Sequence, residues 1–266
     1  MIAFPNAKIN LGLNILSRRP DGYHNLSSCF IPIDWCDVLE IVESDQFQFQ
    51  STGIPIPGDE NTNLVIKAYH LLKGNYDLPP VSIHLHKVIP MGAGLGGGSS
   101  DAAFTLKILN DLFDLKLPVT ELEKYATQLG ADCPFFIENK AKLVGGIGEV
   151  FESVNLSLEG YQLQVVFPGI HVNTGQAFQS ITPEDPTHWP KDVVIKPVDS
   201  WKDKLVNDFE KPVFAAHPEL EEIKEKMYGE GAIYAAMSGS GSSIFSIWEH
   251  DAEPVSFPYP SFTHQF

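Results

Sequence analysis

Cysteine is scarce in this chain: Cys29, Cys36 and Cys133 are the three present, odd in number and without a C-x-x-C pair. A disulfide framework and a cysteine-rich zinc site are excluded as organising principles, and a reducing cytoplasm is the expected setting. Cations are scarce as well. Lys and Arg total 18 against 34 Asp and Glu, for a net charge of -16. A nucleic-acid or anionic-membrane partner needs a basic footprint, which this composition does not supply. A small phosphorylated ligand is still admissible, because it answers to a local field of a few cations, backbone amides and a metal. No apolar run approaches the roughly 18 residues that a membrane-spanning helix needs. Pro5, Asn6, Lys8 and Asn10 interrupt the stretch where a signal peptide would carry its apolar core, so export by that route is not expected. Nothing in the sequence speaks to assembly.

What is present suits a globular protein. Of 266 residues, 43% are hydrophobic and 20% charged, enough apolar surface for a sizeable core in one domain or two modest lobes. Ile9, Leu11, Leu13 and Ile15 alternate with Lys8, Asn10, Gly12 and Asn14. That period of two predicts a half-buried strand with Lys8 and Asn10 on its polar face. After the Pro20-Asp21-Gly22 turn, residues 28–34 and 37–42 read as further strands of an antiparallel meander. Helical spacing covers 61–72, capped by Asn61 or Thr62. Val81, Ile83 and Leu85 mark another strand. A helix is expected over about 99–113. A third opens on a Thr120–Glu123 capping box and ends near Gly130. Beyond a soft boundary near 150 come a strand at 162–167, a charged helix started by Pro218, and a Gly/Ser loop at 238–243. The tail after His250, with Pro254, Pro258 and Pro260, reads as irregular.

The densest signal is Pro90-Met91-Gly92-Ala93-Gly94-Leu95-Gly96-Gly97-Gly98-Ser99-Ser100-Asp101. Glycines let backbone N–H groups converge, and the helix that follows adds unpaired N–H groups and a positive dipole end. Together they form a phosphate cradle, with Ser99 and Ser100 as helix caps whose hydroxyls can also reach a phosphate or a metal. Gly92, Gly94 and Gly97 satisfy G-x-G-x-x-G, but the next segment is a second helix start rather than a parallel strand, which opposes a dinucleotide unit. No lysine follows the glycines, so a Walker A loop fails. A purely structural loop is the remaining alternative, and five glycines would then be an unrewarded entropic cost.

This loop resembles the ATP loop of the galactokinase, homoserine kinase, mevalonate kinase and phosphomevalonate kinase (GHMP) superfamily. Ala7-Lys8-Ile9-Asn10-Leu11 and Arg19-Pro20-Asp21-Gly22-Tyr23-His24 resemble the members that act on a cytidine diphosphate sugar alcohol. So do Leu129-Gly130-Ala131-Asp132-Cys133-Pro134, Gly145-Gly146-Ile147-Gly148-Glu149 and Ser238-Gly239-Ser240-Gly241. The resemblance implies a two-lobed α+β GHMP kinase fold. An N-terminal ATP-binding domain (1–152) and a C-terminal substrate-binding domain (153–266) would hold the site between them. It further implies ATP-dependent phosphorylation of the 2-hydroxyl of the cytidine-diphosphate methylerythritol in the non-mevalonate route to isoprenoid precursors.

The resemblance also suggests who does what. Residues 90–100, Pro90, Met91, Gly92, Ala93, Gly94, Leu95, Gly96, Gly97, Gly98, Ser99 and Ser100, would hold ATP. Asp132 is the candidate base, against the alternative of a turn aspartate before proline. Lys8 is its cationic partner, against that of a solvated lysine on an outer strand face. Tyr23 would stack on cytosine and His24 bond its edge. Phe178 stands where the family places a second aromatic, often tyrosine; ordinary packing is its alternative. Asn10, Asn63 and Lys87 are further candidates for substrate or nucleotide contact. No carboxylate is dedicated to magnesium, so Mg2+ is expected to arrive with ATP, touching Ser99 or Ser100. His84 and His86 share a strand face but read as surface histidines, and Cys133 as a packing residue. The rival readings are another GHMP small-molecule kinase, of homoserine or mevalonate type, and a non-catalytic nucleotide-binding protein.

Overall fold

The computed structural model describes residues 1–266. The chain forms two compact units, each assembled from separate stretches of sequence. The first comprises Met1–Ala7, Asp34–Met91 and Gly96–Lys140; the second comprises Lys8–Ile33, Gly92–Leu95 and Ala141–Phe266.

In the first unit, strands β1 (Ile2–Ala3), β4 (Val38–Glu43), β5 (Gln48–Gly53) and β6 (Val81–Lys87) form one sheet in the order β1-β4-β6-β5. β4 is antiparallel to β1 and β6, while β5 runs parallel to β6. The helices are α1 (Leu64–Tyr76), α2 (Gly97–Leu112), α3 (Val119–Leu129) and the single turn α4 (Phe135–Glu138). α2 is the hub: it packs on α1, α3, α4 and β4. Its contact face is built from Ala102, Ala103, Leu106 and Leu109, all fully buried, and the two alanines allow the close approach.

The second unit holds most of β2 (Asn6–Arg18) and β3 (His24–Cys36). With β7 (Lys142–Gly145) and β8 (Val150–Ser153) they form a sheet ordered β2-β3-β7-β8. A second, antiparallel sheet runs β10 (Tyr234–Met237), β11 (Ile244–Glu249), β9 (Tyr161–Val166), β12 (Ser261–Gln265). Its helices are α5 (Thr174–Gln179), α6 (Pro190–Val193), α7 (Glu210–Ala216) and α8 (Pro218–Gly229). α8 lies on β10 and β11 through Leu220, Ile223 and Met227, one helical stripe.

Several local expectations are corrected. The N-terminal meander does not form: β4 leaves the β2-β3 sheet to join β1 and β6. Asp37 marks the switch, its N–H donating to the Pro5 carbonyl at 2.8 Å. α1 starts later than the spacing suggested. Asn63, not Asn61 or Thr62, is its cap, accepting from the Val65 N–H, because residues 60–62 form a separate 3-10 turn. α3 is capped by Pro118 without a side-chain bond; Thr120 lies inside the helix and the capping box is not used. The tail ends in β12, paired with β9 at the sheet edge. Its three prolines all precede the paired residues, so none removes a ladder donor.

Candidate active site

The glycine loop owes its shape to three left-handed residues, Gly92 (φ 63°), Gly94 (φ 75°) and Gly96 (φ 70°). Within the second unit three successive carbonyls of this loop are tied back. Ala93 O accepts from Ser243 N at 3.2 Å, Gly94 O from Ser238 Oγ at 2.9 Å, and Leu95 O from Lys8 N at 2.9 Å. In a trans peptide the carbonyl and the next N–H point in opposite directions. The N–H groups of Gly94, Leu95 and Gly96 are therefore turned to the other side, an anion-binding nest.

Gly96 is also the N-cap of α2, and no side chain caps that helix. Ser99 and Ser100 sit inside its first turn rather than capping it, which corrects the sequence reading. An uncapped helix start directly after a nest is the arrangement that favours phosphate oxygens. The Ser100 hydroxyl is buried and has no hydrogen-bond partner.

Asp132 belongs to the first unit, half-buried in the turn between α3 and α4. Its neighbour Cys133 is fully buried, and α4, which follows directly, packs on α2. The Asp132 turn is thereby fixed beside the helix that follows the glycines. Burial pushes the Cys133 thiol up to about 12, so it is an inert packing group, as its context in the sequence suggested.

Beneath the loop, also in the first unit, lies a cluster that the sequence reading missed. Lys87, 2% exposed, donates to Asp101 Oδ2 at 2.7 Å and to Asp37 Oδ2. Burial works against its charge, but Asp101 and Asp37 outweigh that and hold the ammonium above the usual lysine value. Burial also pushes Asp101 up to about 7, against the pull of Lys87. One ammonium cannot neutralise two carboxylates, and Asp101 Oδ1 has no partner to share the charge. The folded chain thus holds a proton on Asp101 to about pH 7, whereas an unfolded aspartate releases it near pH 4. Between those values the folded state binds more protons, so this group lowers stability as pH rises. Asp101→Asn is expected to flatten that decline, measurable by thermal melts at acid and neutral pH. An acid in the second turn of a helix and a lysine closing a strand were the available sequence signals.

In the second unit, β2 carries Lys8 and Asn10. Both are buried, Lys8 to 3% exposure, so the face expected to meet solvent is covered and the solvated-lysine alternative falls. Lys8 Nζ donates to Asn10 Oδ1 at 2.6 Å and lies 4.4 Å from the centre of the Phe30 ring. Asn10 Nδ2 donates to Ser28 Oγ at 3.2 Å, and Ser238 lies within 3.4 Å of Asn10 Oδ1. Asn207 holds the 238–243 loop in place, donating to the carbonyls of Met237 and Gly239 at 2.7 and 2.8 Å. Ser28 and Asn207 carried no motif in the sequence.

The same unit presents the rings. Asp21 accepts from the Tyr23 N–H at 3.1 Å, and Arg19 N donates to Tyr23 O at 2.8 Å, closing a tight turn through Gly22 (φ 90°). Arg19 also holds the Asp21 carboxyl below its usual value. The turn leaves Tyr23 60% exposed and stacks His24 on Phe178, with centroids 5.1 Å apart and planes at 18°. Phe178 rides on α5, capped by Asn173, and meets Phe209 edge-on at 4.8 Å. Partial burial, with Arg18 nearby, lowers the His24 value, which favours a neutral ring with one donor and one acceptor.

Asn63 spends its side-chain oxygen on the α1 cap. His84 and His86 both bond Thr52 Oγ1 at 2.9 Å. No group of three or more His, Cys, Asp or Glu is placed to hold a metal ion. A cavity of about 940 Å3 in the second unit, lined by Asp208, Glu210, Lys211 and Glu221 among others, includes none of the candidate residues.

Comparison with known proteins follows the same lines. Residues 63–140 match the family model described as the GHMP kinases N terminal domain, and residues 197–257 the GHMP kinases C terminal model. The chain is 51% identical to the 4-diphosphocytidyl-2-C-methyl-D-erythritol kinase of Azobacteroides pseudotrichonymphae, across 96% of each chain. It is 55% identical to the protein of that name from Bacteroides fragilis, across 93% of this chain and 92% of that one. It is similar to the crystal structure of a 4-(cytidine 5'-diphospho)-2C-methyl-D-erythritol kinase, with a TM-score of 0.80 and 33% identity over 92% of this chain and 89% of that one. The mevalonate kinase of Methanococcus jannaschii, 14% identical with a TM-score of 0.66, shares the fold.

Proposed function

The chain belongs to the GHMP kinases, and from that membership we propose its reaction. It transfers the γ-phosphoryl group of ATP to the 2-hydroxyl of 4-diphosphocytidyl-2-C-methyl-D-erythritol, in the non-mevalonate route to isoprenoid precursors. The observation that carries the choice of acceptor is the identity of 55%, over 93% of the chain, to a relative of that name. The ring cluster agrees: Tyr23, His24 and Phe178 suit a flat pyrimidine and have no counterpart in the chemistry of homoserine or mevalonate.

In this reading the nest at Gly94, Leu95 and Gly96 and the start of α2 bind the phosphates of ATP, with Pro90, Met91, Ala93, Gly97, Gly98 and Ser99 shaping the loop. Asp132 takes the proton of the 2-hydroxyl as its oxygen bonds to the γ-phosphorus and the bond to ADP breaks. Lys8, aimed by Asn10, supplies positive charge for the transferring group. Tyr23 and Phe178 hold the cytosine ring and neutral His24 bonds its edge. Mg2+ would arrive with ATP and would offset the charge of its phosphates, and the buried, unpartnered hydroxyl of Ser100 is the side chain that would reach it. Lys87 supports the glycine loop from within its carboxylate cluster, while Asn63 serves as the cap of α1. The two family models support an N-terminal domain followed by a C-terminal one along the sequence, although the compact units interleave across the expected boundary at 152, and a cytoplasmic setting belongs to the same proposal.

The test is ADP release with magnesium ATP and the cytidine substrate, run beside homoserine and mevalonate. Turnover with another acceptor would replace the assignment, and nucleotide binding without turnover on any acceptor would favour a sensor. Tyr23→Ala is expected to raise KM for the cytidine substrate about tenfold or more with kcat little changed, since base stacking contributes about 1–3 kcal/mol. An unaltered KM would remove the stacking role.

A further inference from the structure

The glycine loop leaves the first unit after Met91 and re-enters it at Gly96. One buried cluster grips the chain at both places. Before the loop, Asp37 Oδ1 accepts from the N–H groups of Val88 and Ile89 at 2.5 and 2.8 Å. After it, Asp101 on α2 accepts from Lys87, whose ammonium also binds Asp37. The two ends also touch directly: a Cβ on Gly97 would lie 3.0 Å from Ile89 Cγ2 and 3.4 Å from Lys87 Nζ. Residue 97 is glycine because strand exit and helix start are in contact there.

An ion cluster this deeply buried is not explained by stability. Desolvation takes back most of what the charges gain, and apolar residues of the same volume would serve about as well. What apolar residues cannot do is accept two backbone N–H groups on one side and fix a helix turn on the other. Resting on the reading of the loop as the ATP site, we propose that Asp37, Lys87 and Asp101 are positioning residues. They clamp the two ends of the glycine loop and so set the affinity for the triphosphate. An unclamped loop would spend part of its binding free energy on ordering itself around the ligand.

Asp101→Ala is the clean probe. It cuts the link to α2, leaves Lys87 and Asp37 as a neutral pair, and removes the surplus buried carboxylate, so the chain is expected to fold. Asp101→Asn keeps an acceptor for Lys87. ATP affinity is read by calorimetric titration without acceptor, beside KM for each substrate, kcat and melting temperature. For Asp101→Ala the expected result is a rise of about tenfold in the dissociation constant and KM for ATP, with KM for the cytidine substrate and the melting temperature held. Asp101→Asn is expected to stay within about threefold of the parent protein. Unchanged ATP affinity in Asp101→Ala overturns the clamp. So does an equal loss for ATP and acceptor with a lowered melting temperature, which is the mark of a general structural role. A parent protein that binds ATP but releases no ADP would sink the acceptor assignment alone, since the titrations still decide the clamp. A parent protein that binds no ATP would sink both.

Discussion

Asp132→Ala is expected to cut kcat by about 10²–10⁴-fold, the range for losing a positioned general base, while KM for ATP and for the cytidine substrate stays near that of the parent. The split follows from where Asp132 stands. Its turn joins α3 to α4, and both helices pack on α2, the helix that follows the glycine loop. Removing its carboxylate takes nothing from the nest or from the ring cluster that would hold the base. Asp132→Asn, which keeps the shape and loses the basicity, should be nearly as slow; single-turnover kinetics would separate chemistry from product release. Lys8→Met is expected to fall just as far, because that ammonium is buried against Phe30 and aimed by Asn10. If the two groups act on one transition state, the double variant will be little worse than either single one. Full turnover in Asp132→Ala would take this residue out of the mechanism.

The parts of this site written in local chemistry were legible in the sequence. Alternation over Ile9–Ile15 placed Lys8 and Asn10 side by side on one strand face, and the glycine spacing announced a nest followed by a helix. What the sequence hid was set by tertiary partners. Periodicity marks a polar face but not its cover, so Lys8 read as solvated until the 238–243 loop, Ser28 and Phe30 were seen around Asn10 and Lys8. Asp37 and Asp101 are 64 positions apart and looked like ordinary acids; only Lys87, reaching both, gives them a task. Caps failed for a related reason. Thr120 and Ser99 are good capping residues by type, yet Pro118 and Gly96 hold those positions because turn geometry, and in the second case an uncapped start, decided the matter. The last strand was missed because three prolines masked a short edge segment whose pairing partners lie 95 to 103 residues earlier.

Gly94→Ala and Gly98→Ala are two identical changes, four residues apart, expected to part in their effect on stability. At Gly94 the backbone sits at φ 75°, a region that costs an L-residue roughly 1–2 kcal/mol. A Cβ there would lie 2.0 Å from the Ser238 carbonyl oxygen and 3.2 Å from that of Gly241. Both obstacles are backbone, so relief requires moving the glycine loop or the 238–243 loop bodily. Either movement breaks the Ser238–Gly94 bond and disturbs the contact to Asn10, which aims Lys8. The variant is expected to lose about 2–4 kcal/mol of stability, to bind ATP at least about tenfold more weakly and to turn over about a hundredfold more slowly. Gly98 has no atom within 4 Å of its Cβ position and already lies in α2. Alanine there should leave the ligand-free protein as stable as before, or more stable by up to about 1 kcal/mol. If ATP phosphates approach that turn, its methyl group will nonetheless raise KM for ATP. A pair of alanines that behaved alike in melting temperature would mean that the left-handed backbone at Gly94 does not shape the loop.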